Sequence, residues 1–233
     1  MDYNNNPAKY TRAMELYHQG RERYIRERTI ALDRFESTIE NYRRFDSRNT
    51  LPSTPILFVG SSSIVYWETA KSFPDMPVVN RGFGGVSLPE IIHYYDDVIK
   101  KHNPSMLVVY CDIDVENGRS PEFSANAFKE LIDKVEADFP EIPILLISMK
   151  PTLIDDMLGK EVRTNKLKTN QKLIEYARAD ENLYYVDISS SMLRADGSLK
   201  SEIFLADGMH LNPLGYEIWD PIMRAEINRI RGR

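Results

Sequence analysis

The sequence predicts an α/β fold, a three-layer α/β/α sandwich around a five-stranded parallel sheet. Two observations carry that prediction. Five short apolar runs recur along the chain, ILFVG (56–60), MPVVN (76–80), SMLVVYC (105–111), IPILLIS (142–148) and NLYYVDI (182–188). Between them lie stretches with helical apolar spacing, roughly 62–72, 87–101, 121–139 and 161–180, and a last one runs from about Pro213 to Arg231. Near-continuous apolar strands that alternate with helices are the mark of a parallel sheet covered on both faces. The plan is flavodoxin-like, and ligands in such sheets bind beyond the carboxyl ends of the strands.

The elements follow in order. Residues from about Pro7 to Arg44 are charged helix formers, with Ile25, Ile30, Leu32, Phe35, Ile39 and Tyr42 on one apolar stripe. This predicts an N-terminal helical extension over 1–50, packed on the outside of a 51–233 domain. A coiled-coil arm is disfavoured because the heptads are few and irregular. SRNTLPSTP then breaks the helix with turn formers and two prolines.

Composition narrows the function. The chain has 233 residues, 42% hydrophobic and 28% charged, values of a globular protein with a sizeable core. Its net charge of -5 argues against nucleic acid as a partner. No apolar run reaches the roughly 20 residues that span a bilayer. The opening MDYNNNPAKYTRAMELYHQG is polar and lacks the apolar stretch of a secretion signal, so the expected location is cytoplasmic. The single cysteine, Cys111, has no disulfide partner within the chain and lies in an apolar run, as an inert core residue would.

Chemistry is expected just after the strands. Gly60-Ser61-Ser62-Ser63 leads from the first strand into a helix. Such a turn either caps the helix with a serine or places a nucleophilic hydroxyl among free backbone N–H groups. Asn80-Arg81-Gly82-Phe83-Gly84-Gly85 follows the second strand, with three glycines in four positions. It matches neither phosphate-loop pattern, and an ordinary tight loop is the other reading. Near the C-terminus, Asp207 and His210 stand three apart, close enough for the carboxylate to orient the imidazole. An acid, a histidine and a serine are the three parts that acyl transfer requires.

Together these segments resemble the SGNH hydrolases, or GDSL esterases and lipases, from about Ile56 to Ile222. ILFVGSSSIVYW is similar to that family's first block, which implies Ser62 as nucleophile. NRGFGG is similar to the second, which implies that Gly85 and Ser62 offer backbone N–H groups to an oxyanion. DGMHLNPLGY is similar to the last, which implies Asp207 as orienting acid and His210 as base. The implied substrate is a small carboxylic ester, with acetyl groups on carbohydrate as a candidate, and no metal or organic cofactor is called for. The N-terminal extension lies outside the resemblance.

The third block departs from the family, whose G-x-N-D supplies an Asn as third oxyanion donor. This chain has Asp112-Ile113-Asp114 there. Matched along the strand, which keeps the strand length intact and is the preferred register, Asp114 takes the place of the Asn in the oxyanion hole. Matched from the loop, Ile113 does, and Asp114 is the family's Asp. Either way the amide is missing. A catalytically weakened binder of esters or carbohydrate is therefore the alternative function. Two carboxylates could also hold a hard cation, although no further acidic cluster accompanies them. His93 reads as a surface or packing residue, and His18 and His102 read as surface positions. Tyr66, Trp67, Tyr94 and Tyr95 read as core of the covering helices, with a pocket wall as the alternative.

Overall fold

A computed structural model describes residues 32–232 together with Glu15 and Gln19. It contains a sheet of five parallel strands in the order β2-β1-β3-β4-β5. The strands are β1 Ile56–Gly60, β2 Val78–Gly82, β3 Met106–Tyr110, β4 Ile144–Ile147 and β5 Leu183–Val186. The chain runs from β1 to β2 on one side and then to β3 on the other. The order thus reverses between β1 and β3, where a crevice opens at the carboxyl ends.

Alternation along the strands separates two cores. Leu57, Val59, Leu107, Val109 and Leu146 face one layer; Phe58, Val108, Tyr110, Leu145 and Ile147 face the other. The first layer comprises α1 (Glu36–Asp46), α4 (Leu88–His93), α5 (Tyr95–Val98), α6 (Ile113–Glu116), α7 (Pro121–Asp138) and α9 (Val162–Ala179). The second is made by α2 (Ser62–Val65), α3 (Thr69–Ser72) and α10 (Pro213–Arg231). Phe58 stacks on Phe73 at 5.6 Å and meets Trp67 edge-on at 5.4 Å. Truncating such a buried ring to alanine costs about 3–5 kcal/mol. Helix starts follow local chemistry. Ser120 accepts the Phe123 N–H ahead of Pro121, and Asn212 accepts the Gly215 N–H ahead of Pro213.

Several expectations need revision. The second strand lies two residues later than MPVVN suggests, because Val78–Gly82 pairs residue for residue with Ile56–Gly60. It therefore runs through Arg81, a charged residue that no apolar pattern would include. Arg81 is buried, bonded to Asp46 and stacked over the Tyr42 ring at 5.0 Å. Its Nε donates to His102 Nε2 at 3.2 Å, so His102 is an interior residue and not a surface one. The stretches 62–72 and 87–101 are each interrupted, and α6 and α8 (Asp155–Leu158) were not foreseen.

In the N-terminal extension, α1 buries Ile39 against the first layer, with Phe35 and Tyr42 packed beside it. The expected stripe before residue 32, including Ile25 and Ile30, and His18 lie outside the described residues. No helix among the described residues is long and apolar enough to cross a membrane.

Candidate active site

The turn after β1 is shaped by close packing. A Cβ on Gly60 would lie 1.9 Å from the Tyr110 carbonyl oxygen of β3, so only glycine fits. The chain then passes through Ser61 in extended conformation and enters α2 at Ser62. Ser62 is thus the first residue of a helix, where the backbone N–H has no partner within the helix. Serine capping is not what this turn uses. The Ser61 hydroxyl makes no cap bond and donates instead to Asp112 Oδ1 at 3.3 Å.

The turn is braced from two sides. The Asn80 amide donates to the carbonyls of Ile64 and Trp67 at 2.7 and 3.1 Å, and the Tyr216 hydroxyl donates to the Ser63 carbonyl at 2.8 Å. Neither Asn80 nor Tyr216 stood out in the sequence as a site residue.

His210 comes to this turn from the far end of the chain. Its Nε2 lies 2.9 Å from Ser62 Oγ, and its Nδ1 lies 2.7 Å from Asp207 Oδ2. Asp207 Oδ1 meanwhile accepts the backbone N–H groups of Met209 and His210, both at 2.9 Å. Burial pushes the Asp207 carboxyl up, but the bonds from the His210 ring and from these two N–H groups outweigh it, leaving its pKa at about 2. An ionised Asp207 requires the proton on Nδ1. Nε2 is then free to accept the Ser62 proton. The Tyr66 ring stands edge-on to the imidazole at 4.9 Å, half exposed, whereas Trp67, Tyr94 and Tyr95 are core. Beside it runs an open groove of about 630 Å³, lined by Val65, Tyr66, Leu205 and Leu211 among others.

Gly85 has φ of 77°, a conformation that favours glycine, and a Cβ there would meet nothing within 4 Å. Ser62, Gly85, Asp207 and His210 thus all stand at the carboxyl end of the sheet or in the loops that reach it.

Asp114 does not fit the place assigned to it along the strand. It is wholly buried, and its Oδ2 accepts the Leu88 N–H at 3.0 Å, at the start of α4. A carboxylate enclosed in this way has no surface to offer a substrate oxygen. Its placement fits the loop-side matching, in which half-buried Ile113 stands where the family has its amide.

The other carboxylate, Asp112, belongs to a buried ionic cluster that the sequence did not disclose. Lys150 Nζ lies 3.2 Å from Asp112 Oδ2, and Lys166 Nζ lies 2.7 Å from Glu116 Oε1 and 2.9 Å from Asp155 Oδ1. All five side chains are almost wholly buried. Burial alone would raise Asp112, but Lys150 and Lys166 hold it far below the usual carboxylate range. Glu116 is shifted upward by burial and by Asp112. The two carboxylates at the end of β3 therefore go to different partners, one to a lysine pair and one to a backbone amide. Among the described residues, no group of three or more His, Cys, Asp or Glu is arranged to hold a metal ion.

This geometry can be set beside known proteins. A family model for the GDSL-like lipase/acylhydrolase family matches residues 48–218, well over half of the chain. The chain belongs to the GDSL-like lipase/acylhydrolase family. Solved structures agree on the fold. A Streptococcus pneumonia protein named for platelet activating factor superposes with TM-score 0.74 at 21% identity, over 84% of this chain and 93% of its own. A family 3 carbohydrate esterase from Clostridium thermocellum gives 0.59 at 16% identity, over 76% and 96%. An acetyl-xylooligosaccharide esterase from Geobacillus Stearmophilus gives 0.60 at 14%, over 76% and 95%. Curated proteins yielded no match in sequence. Within this GDSL-like chain, α1 precedes the matched residues.

Proposed function

We propose that this GDSL-like protein is a serine esterase that cleaves small carboxylic esters through an acyl-enzyme. One observation carries the reading, the unbroken hydrogen-bond chain from Asp207 through His210 to Ser62. Ser62 Oγ attacks the ester carbonyl as His210 Nε2 takes its proton, and Asp207 stabilises the imidazolium that forms. The carbonyl oxygen becomes an oxyanion, which accepts the backbone N–H groups of Ser62 and Gly85. Collapse of the intermediate breaks the ester C–O bond, and His210 gives its proton to the departing alcohol. Water, deprotonated by His210, then releases the acid and regenerates Ser62.

Acetyl esters of carbohydrate are the proposed substrate class. Two of the structures that share the fold are carbohydrate or acetyl-xylooligosaccharide esterases by name. The half-exposed Tyr66 ring beside His210 supplies an aromatic face at the groove. The missing third donor costs about 10²- to 10³-fold in kcat in enzymes that have one, so turnover is expected to be slow. The same absence favours a second reading, a binder of esters or carbohydrate that retains the fold.

Hydrolysis of p-nitrophenyl acetate by the wild-type protein and by Ser62→Ala separates the two. Slow turnover that disappears in Ser62→Ala supports the esterase. Turnover that survives in Ser62→Ala but not in Ser61→Ala or Ser63→Ala assigns the nucleophile elsewhere. No turnover together with saturable binding of acetylated xylo-oligosaccharide supports the binder.

A further inference from the structure

We propose that Arg34, in the segment before the family-matched residues, is a positioning residue that holds the glycine loop so that the Gly85 N–H meets the oxyanion. The inference rests on the esterase reading. From within, the loop is closed by the Val86 N–H donating to the Phe83 carbonyl at 3.2 Å, but a Cβ on either Gly84 or Gly85 would meet nothing within 4 Å, so an outside anchor adds restraint that packing does not give. Two successive glycines in open space have no side chains of their own to restrict them, and their peptide planes rotate more easily than those of other residues.

The segment before β1 supplies that anchor at both ends of the loop. The Arg34 guanidinium donates from Nη2 to the Gly85 carbonyl at 2.6 Å and to Glu90 Oε2 at 2.9 Å, while its Nε donates to Glu90 Oε1. Glu90 is wholly buried, and its Oε2 also accepts the Ser87 backbone N–H at 2.8 Å and the Ser87 hydroxyl at 2.6 Å. One planar fork therefore ties residue 85 to the first turn of α4. At the other end, the Tyr42 hydroxyl donates to the Gly82 carbonyl. Between them the Phe35 ring meets buried Phe83 edge-on at 5.1 Å.

Fixing the Gly85 carbonyl holds the plane of the peptide that follows Gly85 and so narrows the φ, ψ pairs open to the glycine, and it is φ that sets where its own N–H points. An oxyanion donor aimed in advance stabilises the transition state more than the bound ester. In a site that lacks the family's amide, the aim of the remaining N–H groups matters more.

Three proteins test this, wild type, Arg34→Ala and Arg34→Lys, each with p-nitrophenyl acetate kinetics, phenylboronic acid inhibition and a thermal melt. Phenylboronic acid forms a tetrahedral adduct with a nucleophilic serine, and one boron-bound oxygen occupies the oxyanion position. For Arg34→Ala the expected result is kcat about tenfold lower, KM within about twofold, and phenylboronate affinity weakened in step with kcat. Arg34→Lys, which keeps the charge and one donor but not the fork, should recover part of both losses. A kcat and phenylboronate affinity unchanged in Arg34→Ala would overturn the proposal while leaving the esterase intact. A lower kcat with unchanged phenylboronate affinity would also overturn it. A wild-type protein that neither turns over nor binds phenylboronic acid would overturn the esterase reading and this proposal with it.

Discussion

The Asp114 carboxylate accepts the Leu88 backbone N–H at 3.0 Å, across 26 residues of sequence and out of reach of solvent. It links the end of β3 to the start of α4, just after the glycine loop. Asp114→Asn therefore removes a charge-assisted bond at a helix start and supplies nothing to a substrate. The expected outcome is a loss of about 1–2 kcal/mol in urea unfolding, with no rise in esterase activity. A rise approaching 10²-fold would place Asp114 at the oxyanion after all.

Ile113 is the position where an amide should help. Ile113→Asn is expected to raise p-nitrophenyl acetate turnover by up to roughly 10²-fold, the scale of one oxyanion donor. Combined with Ser62→Ala it should raise nothing. Steady-state kinetics on both variants check this.

His102 gives the protein an acid-sensitive interior. Burial and the adjacent Arg81 guanidinium lower its pKa to about 4. The folded state thus binds the His102 proton less readily than the unfolded chain, whose histidine titrates near 6.5. This contribution weakens folding as pH falls from about 6.5 towards 4, and it levels off below that, where both states are protonated. It amounts to at most about 3 kcal/mol. Urea midpoints taken between pH 7 and pH 4 should show a smaller acid loss in His102→Gln than in wild type.

The lysine pair beneath the nucleophile turn should resist truncation. Lys166→Met removes the ammonium that Glu116 and Asp155 share, leaving Lys150 beside Asp112 and the half-exposed Arg163 beside Asp155. The cost should be about 3–5 kcal/mol, the scale of an uncompensated buried charge. With that lysine gone, the carboxyl pKa values in the folded state rise. The variant is then weakest at pH above them and gains relative to wild type as pH drops from 7 to 5. Chemical denaturation at the two pH values measures this.

What was legible in the sequence was what short local pattern encodes. Ser62, Gly85, Asp207 and His210 lie in segments whose chemistry is written within a few residues, and four of the five strands are written in unbroken apolar runs, β2 alone running on through Asn80 and Arg81. Polar residues that turn inward were not legible. Lys166 sits in VRTNKLKTN, where nothing distinguishes it from its exposed neighbours, and its partners are 11 and 50 residues away. His102 in KKHNP looks solvated until Arg81 is placed against it. Asp112 and Asp114 could be ranked only once the structure showed that one meets a lysine and the other a backbone amide. The Arg34 anchor spans 51 residues to Gly85 and lies outside every recognisable block.

The central claim is that Ser62 is a hydroxyl activated by His210, and a serine-reactive fluorophosphonate tests it most directly. Wild-type protein is treated with the probe, digested, and the modified residue located by mass spectrometry, alongside Ser62→Ala and His210→Ala. The account predicts a single phosphonylated residue, Ser62, no labelling in Ser62→Ala, and labelling slowed at least about 10²-fold in His210→Ala. Labelling at another serine, or labelling of Ser62 that is indifferent to His210, would contradict it.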